Sequence, residues 1–481
     1  MKTLTSYIVK TTLVILAVCT VVMVQSCSED FIDVESNQET EEALTADRAP
    51  ELVNAVYNSL LRWEVSSFAW TGISSIASDD ADKGSIPGDT GADKNLLDAL
   101  NITPTIISAA EVWSGHYDAI QRANQAISRI SSFEMDVELQ NRLLGEARFL
   151  RALMYFRLTQ VYGGVPLITD ITSLDDINAD ILARKTKAEC YAFIEDDLRF
   201  ALEALPLKSE YPASELGRAT KGAAQTLLAK VSMYQSKWDD VVSLTNAVII
   251  SGEYGLTTNY EDIWKDEFEN NIESIFEIQA RGVPPAAGVD KYSTIQGVRG
   301  ESGWGWGFNT PSQELLDSYT PNDLRRDATF IFPGETLFDG RAISINVPNI
   351  GYNQKAYSSI LTESELTGKN VRILRYAEVL LMNAEAKSIV GGDVATPLNA
   401  VRIRAGLNSA TDLTTEAVWA ERRLELAFEH DRYFDLVRQG RAAQVLNSKG
   451  IPFVAGKHEV FPIPQEQIDI SGGALVQNPN Y

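Results

Sequence analysis

The stretch NRLLGEARFLRALMYFRLTQVYGGVP, residues 141–166, has the spacing of an amphipathic helix followed by a stop signal. Its apolar residues recur every three or four positions and form one stripe: Leu143, Leu144, Ala147, Leu150, Leu153, Met154 and Leu158. The charged residues fall mostly outside that stripe. Gly163 and Gly164 end the pattern, and Pro166 prevents the helix from resuming. This stretch therefore predicts a helix over 141–161.

Further segments with the same spacing make helix the dominant predicted element. They are 48–62, 110–131, 186–204, 218–235, 237–250, 371–389, 395–405 and 415–438. Several come in pairs joined by short turns. In the clearest pair, small residues from Ala223 onward lead to Tyr234, and Trp238 opens the next helix. This arrangement is similar to a tetratricopeptide repeat, so the sequence predicts a mainly α protein built on degenerate, interrupted helix pairs.

Two long insertions, 66–109 and 280–370, interrupt the helical segments and are rich in Gly, Pro, Ser, Thr and Asn. Short strand-like runs occur at 274–279 and 342–347. Loops of this length in a compact protein are either functional or disordered, and the aromatic residues inside these two indicate order and function. We expect a single domain over 47–481 that carries both insertions.

The chain is strongly acidic, with a formal net charge of −24 and a pI near 4.6. An acidic surface repels phosphate backbones, which argues against a nucleic-acid partner. It also opposes adsorption to anionic lipid headgroups unless something else anchors the protein.

The N-terminus has the features of an export signal. Lys2 and Lys10 flank a short basic region that precedes an apolar run from Leu13 to Val24. This run is too short to span a bilayer and fits an export signal. After Gln25 and Ser26 comes Cys27, the predicted lipidation site, with residues 1–26 as the signal peptide. The alternative is an ordinary signal that happens to contain this cysteine. The acidic residues of 27–46 predict a tether, and two or three acyl chains would anchor it firmly.

Cysteine and histidine are too few for most catalytic or metal sites. After the signal and Cys27, only Cys190 remains, so we expect neither an intrachain disulfide nor a cysteine metal site. The three histidines are scattered, and no phosphate or dinucleotide motif occurs. We predict no metal, cofactor or catalytic residue. The aspartates Asp79, Asp80 and Asp82 suit either a cation site or, as we favour, solvated loop charges.

Five blocks, in order along the chain, resemble the hallmark segments of the SusD/RagB family. They are SDD (78–80) with Lys83-Gly84; EARFLRA (146–152) with YF (155–156) and YGGVPLI (162–168); RYAEVLL (375–381) with Asn383, Glu385 and Ala386; ERRLELAFE (421–429) with RYFDL (432–436) and Arg438; and FPIP (461–464) with QNP (477–479) and Tyr481. The resemblance covers nearly the whole mature chain.

This resemblance implies a right-handed scaffold of tetratricopeptide-like helix pairs with a loop-rich second lobe that carries the ligand surface. It implies lipidation at Cys27, with the acidic residues that follow directing surface display on an outer membrane. The implied partner is a SusC-type TonB-dependent transporter, on which the lipoprotein would act as a hinged lid that hands over oligosaccharide or peptide. The charged residues of the family blocks are then mainly scaffold.

A glycan ligand calls for exposed aromatic rings beside polar side chains, because a sugar has an apolar C–H face and a rim of hydroxyls. The long loops contain several aromatic candidates, of which Trp304, Trp306, Trp70 and Tyr292 are our predicted ligand-binding residues; Tyr352 and Tyr357 are weaker. Trp304 and Trp306 alternate with glycines, which would leave the rings accessible. The same stretch could instead simply pack. The tryptophans on helical patterns are expected in the core: Trp63, Trp113, Trp238, Trp264 and Trp419.

The leading hypothesis is a surface glycan-binding lipoprotein that delivers oligosaccharide to the transporter without cleaving it. One alternative keeps the fold and makes the cargo a peptide. Another is a glycoside hydrolase or lyase, since the many carboxylates would allow an acid–base pair across a cleft. A third is a helical adaptor that binds only another protein.

Overall fold

The computed structural model describes residues 45–86, 88–169, 178–280, 289, 291–300, 305–359 and 367–481. Residues up to Arg48 and residues from Ala49 onward form separate compact units. In the first unit the described residues form a short 3₁₀ turn, Ala46–Arg48. The predicted signal peptide, Cys27 and nearly all of the predicted tether lie outside the described residues. The second unit is the subject of the following description.

Helices provide most of the ordered structure of this unit. They are α1 (Ala49–Ser59), α2 (Trp63–Ser66), α3 (Phe68–Thr71), a π-helix (Gly72–Ile76), α4 (Ala92–Asp98), α5 (Ile107–Ser132), α6 (Val137–Tyr162), α7 (Ala179–Leu182), α8 (Lys187–Ala204), α9 (Lys221–Tyr234), α10 (Trp238–Ile250), α11 (Tyr292–Gln296), α12 (Gln313–Ser318), α13 (Arg325–Thr329), α14 (Tyr376–Val390), α15 (Ala395–Arg404), α16 (Thr415–Glu425), α17 (Arg432–Arg438), α18 (Ala442–Ser448) and α19 (Gln465–Ile470). Short 3₁₀ helices are Lys208–Glu210, Ala213–Glu215, Glu261–Trp264 and Asp266–Phe268.

The described strands form three small antiparallel pairs. They are β1 (Ala81–Gly84) with β3 (Phe308–Pro311), β2 (Ser274–Ile278) with β6 (Val371–Arg375), and β4 (Phe330–Ile331) with β5 (Tyr352–Asn353). The prediction of a mainly α fold is confirmed; the tetratricopeptide-like handedness of the helix pairs stays a prediction.

Helix α6 lies at the centre of the scaffold and packs against α5 and α8. It begins where the Asp136 side chain caps the backbone N–H of Leu139 at 2.9 Å, and it ends at Gly163, whose φ of 75° suits glycine. Several polar residues in its C-terminal half are buried, among them Arg151, which forms a two-pronged ion pair with Asp197 at 2.8 Å. The arginine thereby ties α6 to α8.

Four predictions need correction. Segment 371–389 begins as strand β6, because its first residues pair with β2. Segment 415–438 is two helices, since Phe428 and His430 adopt left-handed backbone angles of 65° and 71°. Insertion 66–109 contains helical turns instead of only irregular loop, and no strand forms at 342–347.

The C-terminal family block is held by buried ion pairs. Arg375 binds Glu425 and Glu273 at 2.7 Å each and Glu429 at 2.6 Å, joining β6 to the end of α16. Across the fold, Arg432 binds Asp79 at 2.8 Å. Asp79 and its neighbour Asp80 are almost fully buried, and Arg423 also binds Asp80 at 2.7 Å, so the expectation of solvated loop charges is wrong for these two residues. Asp82, in contrast, is exposed as expected.

Candidate functional site

An aromatic cluster forms where α2 and α3 meet β3. The rings of Trp63 and Phe68 lie edge to face with centroids 5.2 Å apart, and Phe68 lies 4.8 Å from Phe308. Trp306 packs on the same cluster. Phe68 and Phe308 are buried, whereas Trp63 and Trp306 are half-buried and keep part of their surface in solvent. We call these four residues the aromatic site.

Lysines contact these rings from two directions. Lys291 Nζ lies 5.4 Å from the ring centre of Trp306 and 5.9 Å from that of Trp63. Lys94 Nζ lies 4.0 Å from the ring centre of Phe68. These separations are in the range where an ammonium group is attracted to an aromatic face. Lys291 therefore contacts the two half-buried tryptophans, and Lys94 contacts the buried Phe68.

The charge of Lys94 is neutralised by a neighbouring carboxylate. Lys94 donates to Asp93 at 2.9 Å and to Ser108 at 2.6 Å. Burial opposes ionisation of Asp93, but the charge of Lys94 and the hydrogen bonds from Ser108 and Lys94 outweigh it, so its pKa lies below the usual value. Burial raises the pKa of Glu111, and the charge of Lys94 and a hydrogen bond from Trp63 partly offset this rise. The site thus combines ring faces with polar groups held in place.

Backbone contacts fix Trp306. Its N–H donates to the carbonyl of Thr294 in α11 at 2.8 Å, and its carbonyl accepts from Arg299 at 3.2 Å. A Cβ on Gly305 would lie 2.2 Å from the carbonyl oxygen of Val298, and one on Gly307 would lie 2.5 Å from Arg299 Cβ. The glycines beside Trp306 are therefore needed for close backbone packing. The sequence pattern alone had indicated a different role for them, that of leaving the tryptophan rings accessible.

Buried amides connect the strands behind the site. Asn309, in β3, donates to Gln296 at 2.8 Å, and Asn353 in β5 donates to the same oxygen at 2.8 Å. Ser75 in the π-helix donates to Asn309 at 2.8 Å. Since these side chains are almost fully buried, each bond is costly to break, and together they fix β3 against α11.

A histidine links α11 to the π-helix. The Ser74 hydroxyl donates to the carbonyl of Trp70 at 2.6 Å, so its oxygen accepts from Nδ1–H of His430 at 3.2 Å. Nε2 is then the acceptor for the Tyr292 hydroxyl at 3.2 Å. Burial, and the charges of Arg157 and Lys355, lower the pKa of His430 to about 3, so the ring is neutral.

The structure separates the four predicted ligand residues. Trp306 lies at the aromatic site, and Trp304 lies outside the described residues. Trp70 and Tyr292 are only 4% and 5% exposed. Trp70 stacks on Phe434 at 5.7 Å between ring centres, a residue brought in from the distant C-terminal block. In this conformation neither ring has a free face for a sugar, so they support the site from inside.

Sequence reasoning missed Trp63. Its place on a helical pattern predicts a core position. In the structure the chain turns at Arg62 and restarts a short helix, and this leaves the ring of Trp63 half-exposed beside Trp306. The break at 60–62 offered no glycine or proline signal. The weaker candidates Tyr352 and Tyr357 are buried at 0% and 2% exposure.

Within the described ranges, no three or more His, Cys, Asp or Glu side chains gather as a metal site. No helix among the described residues has the length and apolarity needed to cross a membrane.

The fold and this site define a mainly helical protein with an aromatic surface held by a loop-rich region. The family model described as "SusD family" matches residues 261–481, and the one described as "starch-binding associating with outer membrane" matches 30–233. The chain belongs to the SusD family.

Several relatives cover most of the chain. A SusD-like protein of Bacteroides ovatus is 26% identical over 469 residues, covering 87% of this chain and 80% of the relative. SusD-like protein P2 of Formosa agariphila is 25% identical, covering 77% and 80%. The structure of a laminarin-binding SusD-like protein has a TM-score of 0.79 at 29% identity, covering 91% of this chain and 100% of that one. Surface glycan-binding protein A from Bacteroides thetaiotaomicron, in complex with laminarihexaose, has a TM-score of 0.79 at 26% identity, covering 91% and 100%.

Proposed function

We propose that this protein is a non-catalytic, lipid-anchored glycan-binding protein of the outer membrane that captures oligosaccharide for a SusC-type TonB-dependent transporter. The observation that carries the proposal is the half-exposed pair Trp63 and Trp306, held by Lys291 beside polar side chains. A sugar ring has an apolar face that suits such rings and hydroxyls that suit the neighbouring charged groups.

Trp304 belongs to the proposed binding surface together with Trp306. Trp70 and Tyr292 act indirectly: Tyr292 opens α11, whose Thr294 carbonyl holds Trp306. The ligand class is supported by two similar structures, a laminarin-binding SusD-like protein and a surface glycan-binding protein in complex with laminarihexaose. Laminarihexaose is therefore the first probe.

The membrane anchor and transporter are part of the same proposal. The apolar leader and Cys27 support lipidation, and the family description refers to association with the outer membrane. As a lid, the protein would enclose cargo between its aromatic site and the transporter.

Calorimetric titration of residues 28–481 with laminarihexaose tests the proposal. We expect binding in the wild type and loss of at least tenfold in affinity in Trp306→Ala and Trp63→Ala, since burying a large apolar side chain contributes about 1.5–3 kcal/mol. Trp238→Ala is the matched control, a half-buried tryptophan on α10 away from the site.

A parallel screen of other oligosaccharides and of peptides separates the alternatives. Binding of peptides, with no affinity for any glycan, would replace the proposed cargo with peptide. Turnover of a glycan by the purified protein would contradict a non-catalytic role. Glycan binding that is equal in Trp306→Ala and the wild type would remove the aromatic site from the proposal.

A further inference from the structure

A stripe of four residues runs along one face of α5: Ser108, Glu111, Gly115 and Asp118. They are separated by three, four and three positions, which places them on the same side of a helix. Helix α5 belongs to the helical scaffold, where it packs against α1 and α6. The stripe lies against α2, the short helix that begins at Trp63.

Gly115 allows the backbone of α2 to approach α5 closely. A Cβ at this position would lie 2.5 Å from the Cβ of Glu64 and 3.2 Å from Cγ2 of Val65. Side-chain atoms do not tolerate the first of these distances, so any larger residue would push α2 away from α5. Because Trp63 directly precedes Glu64, its ring would move with the helix. Glycine weakens a helix interior relative to alanine, and this close approach explains why α5 contains one.

Charged side chains fix α2 at both of its ends. Arg62, the residue before α2, donates from Nη1 to Asp118 at 2.6 Å, and its Nε lies 3.3 Å from Glu64. At the other end, Nη1 of Arg157 in α6 donates to the carbonyl of Val65 at 3.0 Å. Helix α2 is thereby held by two helices of the scaffold.

The rest of the stripe orders the side chains around Trp63. The Glu111 carboxylate accepts a hydrogen bond from Trp63. Ser108 accepts from Lys94 at 2.6 Å, and Nζ of that lysine lies 4.0 Å from the ring centre of Phe68. Phe68 in turn packs edge to face on Trp63, with the ring centres 5.2 Å apart. The face of α5 therefore supports one half of the aromatic site.

Trp306, in the other half, is held by the loop-rich region. Its N–H donates to the Thr294 carbonyl in α11, and its carbonyl accepts from Arg299, which pairs with Asp89 at 2.8 Å. The two half-exposed tryptophans are thus attached to different parts of the fold. Their relative placement depends on how closely α2 lies on α5.

We propose that Gly115 is a positioning residue of the aromatic site. By allowing α2 to lie against α5, it sets the place of the Trp63 ring relative to Trp306. Gly115 is itself buried and acts through Trp63. The consequence for glycan affinity rests on the proposed function, in which the two rings bind the sugar together.

Gly115→Ala tests this role, with Gly145→Ala as the matched control. Gly145 also lies inside a long helix, α6, and its added Cβ would lie 3.1 Å from that of Ala204, away from the aromatic site. We expect Gly115→Ala to lower the affinity for laminarihexaose at least about threefold, and Gly145→Ala to leave it unchanged. Asp118→Ala is a second variant without overpacking: its side chain is 52% exposed, and losing its bond to Arg62 should lower the affinity in the same direction.

A double-mutant cycle separates positioning from general destabilisation. If Gly115 acts through Trp63, then Gly115→Ala should cause no further loss of affinity in a Trp63→Ala background, because the two effects are coupled. The loss should be of equal size in both backgrounds if Gly115 merely stabilises the fold.

Fluorine NMR reports the placement of the ring without any glycan. Protein labelled with fluorinated tryptophan has eight labelled positions, and the resonance of Trp63 is the one missing from Trp63→Phe. We expect this resonance to shift in Gly115→Ala and to stay in place in Gly145→Ala. An unshifted Trp63 resonance in Gly115→Ala, or additive effects in the cycle, would overturn the proposal. A shifted resonance in a protein that binds no glycan would support the placement by Gly115 and refute the proposed function.

Discussion

The Tyr292 hydroxyl donates to Nε2 of His430 across 3.2 Å and so joins the first residue of α11 to the turn between α16 and α17. His430 reaches this place because its backbone is left-handed, with φ of 71°. Since α11 also holds Trp306 through the Thr294 carbonyl, this buried bond connects the C-terminal block to the aromatic site.

Tyr292→Phe should therefore weaken glycan affinity by a few-fold, up to about tenfold, because losing one buried hydrogen bond costs about 1 kcal/mol and leaves Nε2 unpaired. Calorimetry on the wild type and variant measures the change. Tyr211→Phe is the control: it removes a comparable bond, 2.9 Å to the Ala219 carbonyl, far along the chain. Equal affinities in Tyr292→Phe and wild type would show that this bond does not position the site.

Gly305→Ala should lower the free energy of unfolding by about 1–3 kcal/mol and impair glycan binding, because its Cβ would meet the Val298 carbonyl at 2.2 Å. Gly255→Ala is matched to it, since a Cβ there meets nothing closer than 3.6 Å. Urea unfolding measures the free energy of unfolding of both variants, and calorimetric titration measures their glycan affinity. Should the two variants behave alike, Trp306 does not depend on this close approach.

Glu425→Gln should destabilise the fold by about 3–5 kcal/mol, the cost of breaking a buried ion pair from one side. Burial opposes ionisation of Glu425, yet Arg404, Arg375 and Arg325 hold its pKa far below the usual value. Denaturant unfolding measures this loss in the free energy of unfolding. Asp327→Asn, at the exposed pair with Arg326, should change stability by less than about 1 kcal/mol. A mild effect of Glu425→Gln would mean that the network is more tolerant than its burial indicates.

Acid should reduce the contribution of His430 to stability. Burial and nearby cations lower its folded pKa to about 3, whereas the unfolded ring titrates near pH 6.5. Between these values the unfolded chain binds the extra proton, so stability is fully present above about pH 6.5 and falls toward pH 3.

The difference in unfolding free energy between wild type and His430→Gln isolates this group from other titrating residues. It should shrink by up to about 1.4 kcal/mol per pH unit below pH 6.5. A difference that stays constant from pH 7.5 to 5 would contradict a neutral buried ring.

Cys27→Ala should yield a folded, soluble protein that no longer supports import, because the substitution removes the proposed anchor at a position outside the described residues. Membrane fractionation and growth on the glycan measure the two effects. Retention of the variant in the membrane fraction would rule out Cys27 as the anchor.

The helical scaffold could be predicted because its signals are local. In 137–162, an Asp cap, an apolar period and a Gly-Gly stop act within a few residues, so the observed helix extends only a little beyond the predicted 141–161. The break at 426–431 could not be predicted in this way. Its left-handed Phe428 and His430 are stabilised by partners from distant segments.

The sequence by itself determined the helical class and the family and singled out Trp306 as a site candidate, since these depend on residue order and short-range spacing. Only the tertiary structure decided which aromatic rings face solvent. Trp70 is covered by Phe434, more than three hundred positions away, while Trp63 remains half-exposed beside Trp306. The exposure of a ring depends on which distant segment packs on it, and that information is not contained in its local spacing.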